Sequence, residues 1–382
     1  MRQPKSPIAP FELERYFAKW EFNAPFLLCT SDIQGMLLPE LLELADPESR
    51  RLWDNLSLGY TESLGHPLLR AEIARLYETV DPSDVICFSG AEEAIYICMR
   101  VMLRPGDHMI VTFPGYQSSY QIAETIGAEI SYWQLQPIQN SDGNTVWHAD
   151  VDALRALIRP NTRMILVNFP HNPTGALPTL DEWESIIAIA QEAGCYLFSD
   201  EVYRLLEYDP SDRLPAAVDR LESGLSLGVM SKPFGLAGLR IGWLATKDAN
   251  LLAAVASYKD YTTICNSAPS EILALMALRA KETVLARSLG LVQKNLGLVE
   301  AAMRTMPEDF AWFAPRAGSI AFPRWLGEQP VADFTEALVQ SEGVLLLPGT
   351  VYQVEGNYFR LGLGRVNLPE ALERLARFVS RM

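Results

Sequence analysis

From about residue 66 the hydrophobic and polar positions of this chain alternate between a helical and an extended pattern. Pro67–Tyr77 (PLLRAEIARLY) spaces its apolar residues as one helix face does. Val85–Ser89 (VICFS) is a short continuous apolar run, and Gly90 then opens a helix-like stretch, AEEAIYICMRVM. His108–Phe113 reads as strand, Tyr116–Ile126 as helix, Glu129–Leu135 as strand and Met164–Phe169 as a buried strand. Leu180–Ala193 is an amphipathic helix, Cys195–Ser199 a strand ending at Asp200-Glu201, and Leu225–Met230 and Leu239–Thr246 are further strands. Short apolar strands separated by helices predict an α/β fold, a mostly parallel sheet covered by helices. After about residue 250 the pattern changes. Leu251–Asp260 and Ser270–Met303 read as long helices. Short strands follow near Ala311–Phe313, Ser319–Phe322, Val344–Pro348 and Tyr358–Gly362, then a closing helix at Pro369–Val379. That predicts a smaller α+β domain. The expected division is a large domain over 41–270, a small domain over 271–382, and a segment 1–40 packing on the small domain and the site.

Composition narrows the class. The 382 residues are 49% hydrophobic, enough for two cores, and the net charge of −15 repels nucleic acid and anionic lipid as partners. The five cysteines are scattered and form no CxxC pair, which argues against a disulfide framework and against a metal site. The first residues lack the apolar core of a signal peptide, and no run of about 18 apolar residues suggests a membrane span. The expected compartment is the cytoplasm.

In parallel sheets ligands bind at the carboxyl ends of strands, and several polar motifs fall there. CFSGAEEA is strand–Gly–helix, either a plain turn or a helix start whose free N–H groups hold a phosphate. NFPHNPTG, a proline-stiffened loop, would hold the Asn172 amide in one place, or serves as a structural turn. SDEVYR sets Asp200 at a strand end, where burial would demand a cation or strong donors and exposure would demand nothing. VMSKPFGLAGLRIG carries a single lysine and a single arginine in an otherwise uncharged run. A lysine in an apolar pocket has a depressed pKa and attacks carbonyls. An aldehyde cofactor bearing a phosphate would then sit with Lys232 at its carbonyl, Arg240 and the Gly90–Glu92 amides at its phosphate, and Asp200 at a cationic ring nitrogen. Pyridoxal phosphate has those parts.

SGAEEA, FPGY, NFPHNPTG, SDEVY and SKPFGLAGLRIG, followed by FRLG, stand in the order and spacing of a known family. The chain resembles the class I/II aminotransferases, fold-type I pyridoxal-phosphate enzymes, from about residue 55 to its end. That resemblance implies an aminotransferase-like three-layer sandwich. It also implies transfer of the amino group of an L-amino acid to a 2-oxo acid. By it, Lys232 is the Schiff-base lysine and proton shuttle, and Asp200 pairs with the pyridine nitrogen. Asn172 and Tyr203 bond the phenolic oxygen, Tyr116 stacks on the ring, and Ser231, Arg240 and the amides after Gly90, at Ala91 and Glu92, hold the phosphate. Arg360 clamps the substrate carboxylate, beside Asn172. Tyr60 reaches the phosphate of a neighbouring subunit, which implies a homodimer.

Two positions depart from the family: Glu92 and Val229 stand where many members carry a hydroxyl. The start of the chain is less familiar and faintly resembles pyridoxal-phosphate enzymes acting on arginine. Its Glu21 and Asp32 either lie on solvated faces or face the substrate, where they would favour a cationic side chain. The alternative reaction is therefore elimination, cyclisation or oxidative deamination of a basic amino acid such as arginine. A ligand-sensing regulator built on this fold would carry a DNA-binding domain ahead of it, yet only about 40 residues precede the expected large domain and they are not basic. His171 reads as a spacer in its loop.

Overall fold

A computed structural model describes residues 6–141 and 143–382; residues 1–5 of the expected N-terminal segment lie outside them. Eight strands form the central sheet: β1 (Val85–Phe88), β2 (His108–Phe113), β3 (Glu129–Gln139), β4 (Thr145–Ala149), β5 (Thr162–Asn168), β6 (Tyr196–Asp200), β7 (Gly224–Val229) and β8 (Gly242–Thr246). Their order is β1-β8-β7-β6-β5-β2-β3-β4. The pairs β3–β2, β2–β5, β5–β6 and β6–β7 are parallel, while β8 runs antiparallel between β1 and β7. Strands β1, β7 and β8 are buried at every position, as their continuous apolar runs require. Helices cover the sheet, among them Ala91–Met102, Ser118–Ile126 and Leu180–Ala193. The last starts with a reciprocal cap between Thr179 and Glu182 and stops at Gly194 in the left-handed region.

Three features differ from the sequence reading. β3 runs on to Gln139 and pairs with β4, an antiparallel edge strand of half-buried residues that the pattern did not reveal. The long helix expected over Ser270–Met303 is two helices, Ala268–Arg279 and Lys281–Thr305, broken at Ala280. Every residue from Glu271 to Leu278 is buried, packed with Leu69, Val85 and Ile241, whereas the second helix buries one face. Different surroundings bend a run that local propensity would leave straight. By packing, Ala268–Arg279 goes with the large sheet although it runs past residue 270. A helix at Val331–Glu342, not anticipated, covers the small domain's three-stranded sheet of Ile320–Ala321, Phe359–Gly362 and Leu347–Pro348.

The N-terminal segment is stitched to this small sheet by backbone bonds. Phe26 N–H donates to Gly343 O, Leu345 N–H to Phe26 O, Gly362 N–H to Leu28 O and Gln34 N–H to Gly364 O, at 2.7–3.2 Å. A Cβ at Gly362 or Gly364 would collide with the carbonyls of Thr30 and Asp32, so the glycines of FRLGLGR let the two segments touch.

Candidate active site

The carboxyl ends of β1, β2, β5, β6 and β7 share one sheet edge, and residues just after each line a single cavity of about 310 Å³. Ala91 and Glu92 come from the turn after β1, Tyr116 from that after β2 and Asn172 from that after β5. Asp200 and Tyr203 come from β6 and its turn, and Ser231 and Lys232 from that after β7. Arg240 and Arg360 complete the ring. The structure thus brings together every site residue singled out in the sequence except Gly90, which shapes the wall, and Tyr60.

Lys232 Nζ donates to Ser31 Oγ at 2.8 Å and lies 5.6 Å from the Tyr203 ring centroid. Burial pulls its pKa down to about 8. The carboxylates of Asp32 and Asp200 oppose that shift, and the guanidiniums of Arg360 and Arg365 add to it. Asp200 is 4% exposed and accepts a hydrogen bond from the Val202 amide. Burial pushes its carboxyl up to about 7. Asn172 is held by its own amide, which donates to Asn168 Oδ1 at 2.7 Å. Its Oδ1 accepts from Tyr352 Oη at 3.1 Å and Arg360 Nη1 at 3.3 Å, leaving Nδ2 free to donate. Arg360 is 1% exposed; Nε donates to Cys29 O at 2.8 Å and Nη1 to Tyr352 Oη at 2.6 Å. It makes no ion pair among the described residues, which rules out a surface salt-bridge arginine.

Gly90 caps the helix Ala91–Met102 at φ +93°, and a Cβ there would stand 2.6 Å from Arg240 Nη2. The guanidinium therefore lies over the helix start, a cradle of one cation and free amides. Glu92 turns sideways within this cradle: Oε1 accepts from Ser118 Oγ at 2.5 Å, and burial raises its carboxyl. A carboxylate there would repel a phosphate, and the bond to Ser118 draws Glu92 Oε1 toward the neighbouring helix. Val229 adds an apolar wall.

Glu21 and Asp32 both line the cavity, joined by Glu14. Asp32 pairs with Arg365 at 2.8 Å. Glu21 has no ion pair among the described residues, and burial, then Asp32 and Glu14, raises its carboxyl. His171 is buried, bonds Thr174 through Nδ1 at 2.8 Å and is held neutral by burial. Tyr60 stands outside the cavity, 91% exposed, beside a surface hollow lined by Cys265 and Asn266. Sequence reasoning missed Ser31, Glu14, Tyr352, Arg365 and the Cys29 carbonyl. Of these Arg365, in the same RLGLGR run as Arg360, carried a signal: a second charge beside two glycines.

The buried groups left incomplete define what the cavity fits. Among the described residues, Tyr203 Oη and Arg360 Nη2 are buried without hydrogen-bond partners, and Asp200 is a buried carboxyl without a cation in contact. A ligand with a cationic ring nitrogen, an adjacent oxygen acceptor, a phosphate and an aldehyde satisfies Asp200, Tyr203, the Gly90–Arg240 cradle and Lys232 together. Pyridoxal phosphate fits this set. Comparison with known proteins agrees. Capreomycidine synthase of Streptomyces vinaceus is 30% identical over 351 residues, 91% of this chain and 87% of that protein. A PLP-dependent aminotransferase of Streptococcus suis superposes with a TM-score of 0.90 at 31% identity, over 98% of both chains. The PLP-dependent cyclase OrfR gives 0.89 at 25% identity over 100% and 99%. Residues 26–379 match the family model of aminotransferase class I and II, and the chain belongs to that family, as a transferase dependent on pyridoxal phosphate.

Proposed function

We propose that this enzyme transfers the amino group of an L-amino acid to a 2-oxo acid, with Lys232 as the reacting amine. The observation that carries this reading is the shared cavity: Lys232, Asp200 and the unpaired Nη2 of Arg360 face one space. When bound, pyridoxal phosphate supplies the aldehyde for the amine and a ring that draws electrons from the substrate Cα. Arg360 binds the substrate α-carboxylate through Nη2, its fork already aimed by Cys29 O and Tyr352. Lys232, with a pKa near 8, releases its proton at modest cost and takes and returns the proton at Cα. Asp200 would hold the ring nitrogen protonated. Tyr203 and Asn172 would donate to the phenolic oxygen, and Tyr116 would cover the ring. Ser231, Arg240 and the Ala91 and Glu92 amides would hold the phosphate. Lys232→Ala should abolish the visible band of the holoenzyme and lower turnover by at least ~10³-fold. Wild-type turnover in that variant would remove the assignment.

A second reading is elimination, cyclisation or oxidative deamination of a basic amino acid. Its support is the acidic rim of Glu14, Glu21 and Asp32, with the capreomycidine synthase and cyclase likenesses. Glu21→Gln should then raise KM for arginine about tenfold and leave KM for neutral amino acids unchanged. Adding single amino acids to the holoenzyme without an oxo acid separates the two readings. A band that bleaches in one turnover and returns with a 2-oxo acid means transamination; a persistent long-wavelength absorption or oxygen uptake means the second chemistry. We read the enzyme further as a cytoplasmic homodimer. The exposure of Tyr60 supports the dimer, and five unpaired thiols support the compartment. The large domain, 41–270, would carry the cofactor, with 271–382 and the first 40 residues closing over it.

A further inference from the structure

Lys232 makes one side-chain hydrogen bond among the described residues, and its partner comes from the far end of the chain. Ser31 Oγ accepts from Nζ at 2.8 Å, across 201 positions of sequence. The hydroxyl is not loosely held. Ser319 Oγ donates to the Ser31 carbonyl at 2.7 Å, and Gly362 N–H donates to Leu28 O at 3.0 Å. Cys29 O receives Arg360 Nε, and Asp32 is tied to Arg365. The backbone is therefore anchored on both sides of Ser31. Other groups facing Nζ are the Tyr203 ring, the carboxyls of Asp32 and Asp200, and the guanidiniums of Arg360 and Arg365. Asp32 is occupied by Arg365, and Asp200 is kept for a ring nitrogen. Ser31 is the neutral acceptor left to the lysine.

We infer that Ser31 is a positioning residue for Lys232, accepting an N–H from Nζ whenever the lysine is not joined to the cofactor. The inference rests on Lys232 being the reacting amine. Burial disfavours the ammonium, and an acceptor at 2.8 Å offsets part of that cost. The proton that leaves the substrate Cα resides on Nζ, with one N–H directed at Ser31 Oγ, and then returns to the substrate skeleton. Ser31 keeps its own proton throughout. Its contribution thus falls on the proton-transfer step and not on substrate binding.

The test uses the full chain stripped of cofactor, trace acetic anhydride, and mass spectrometry of the Lys232 peptide across pH. In Ser31→Ala the labelling midpoint should fall by about one pH unit, and Ser31→Thr should restore it. With cofactor added, Ser31→Ala should lower kcat about tenfold and leave KM within about twofold. An unmoved midpoint overturns the inference. So does a raised KM with unchanged kcat, which would show that the substitution acts through the carbonyl that holds Arg360. Borohydride reduction of the wild-type holoenzyme separates this from the active-site reading: cofactor trapped on another lysine sinks both, and cofactor trapped on Lys232 with an unmoved midpoint sinks the inference alone.

Discussion

Asp200 ties the cofactor to the pH dependence of the empty protein. Its carboxyl ordinarily titrates at 3.8, and burial lifts it to about 7. Between those values the folded chain holds a proton that the unfolded chain has released. The Asp200 contribution to stability therefore falls as pH rises through that window and stays low above it. Asp200→Asn has no proton to lose. The melting temperature of the empty variant should match wild type near pH 4 and exceed it by several degrees at pH 8, while cofactor affinity drops about 10- to 100-fold. A constant difference in melting temperature across that range would overturn this account. At this scale the sequence was legible where a charge broke an apolar run, as with Lys232 and Arg240. Ser31 was not legible, because a serine in a polar stretch is chemically ordinary until its neighbour is known. Glu14, on a short helix, looked like any solvated acid.

The turn from β1 into Ala91–Met102 shows an element built for one approach. Gly90 sits at φ +93°, and its missing Cβ leaves room for the Arg240 guanidinium. Arg240 is itself in the left-handed region at φ +52°. Gly90→Ala should displace that guanidinium and strain the turn. Pyridoxal phosphate titration of the stripped protein should show affinity weakened about tenfold or more, with pyridoxal, which lacks the phosphate, much less affected. Equal losses for both ligands would show that the cradle does not act on the phosphate. The sheet strands were readable from sequence because burial on two faces demands continuous apolar runs. β4 was not, since an edge strand with half-buried faces carries no such demand. Nor was the break at Ala280, where LRAKET is made of good helix formers and the change of direction comes from packing outside the segment.

For the whole molecule, Tyr60 is exposed and lies outside its own chain's cavity. If it completes the site of a second copy, then mixing two crippled chains should rescue activity. Lys232→Ala and Tyr60→Phe subunits, unfolded and refolded together, leave one site in each mixed dimer with both residues intact. Activity should exceed the mean of the two parents, and activity equal to that mean would place Tyr60 in its own chain's site or in none. The fold class and most of the cavity were foreseeable because cofactor chemistry demands particular residue types at strand ends. The first 40 residues were expected to pack on the small domain and the site, but the bonds made by Phe26–Gln34 were invisible, being made by main-chain groups that leave no mark on side-chain pattern.

Those main-chain bonds have a further consequence. The segment from Phe26 to Gln34 grips the small domain through amides and carbonyls at Gly343, Leu345, Gly362 and Gly364, which any sequence of similar length supplies. Side chains of this segment can change without breaking that grip, but Ser31 and Asp32 are tied to Lys232 and Arg365. The opening stretch is thus a cassette that carries part of the setting of Lys232 with it. Transplanting it between related chains should carry substrate preference along, with turnover kept only where the incoming stretch places a hydroxyl at position 31, a route by which one scaffold acquires new substrates.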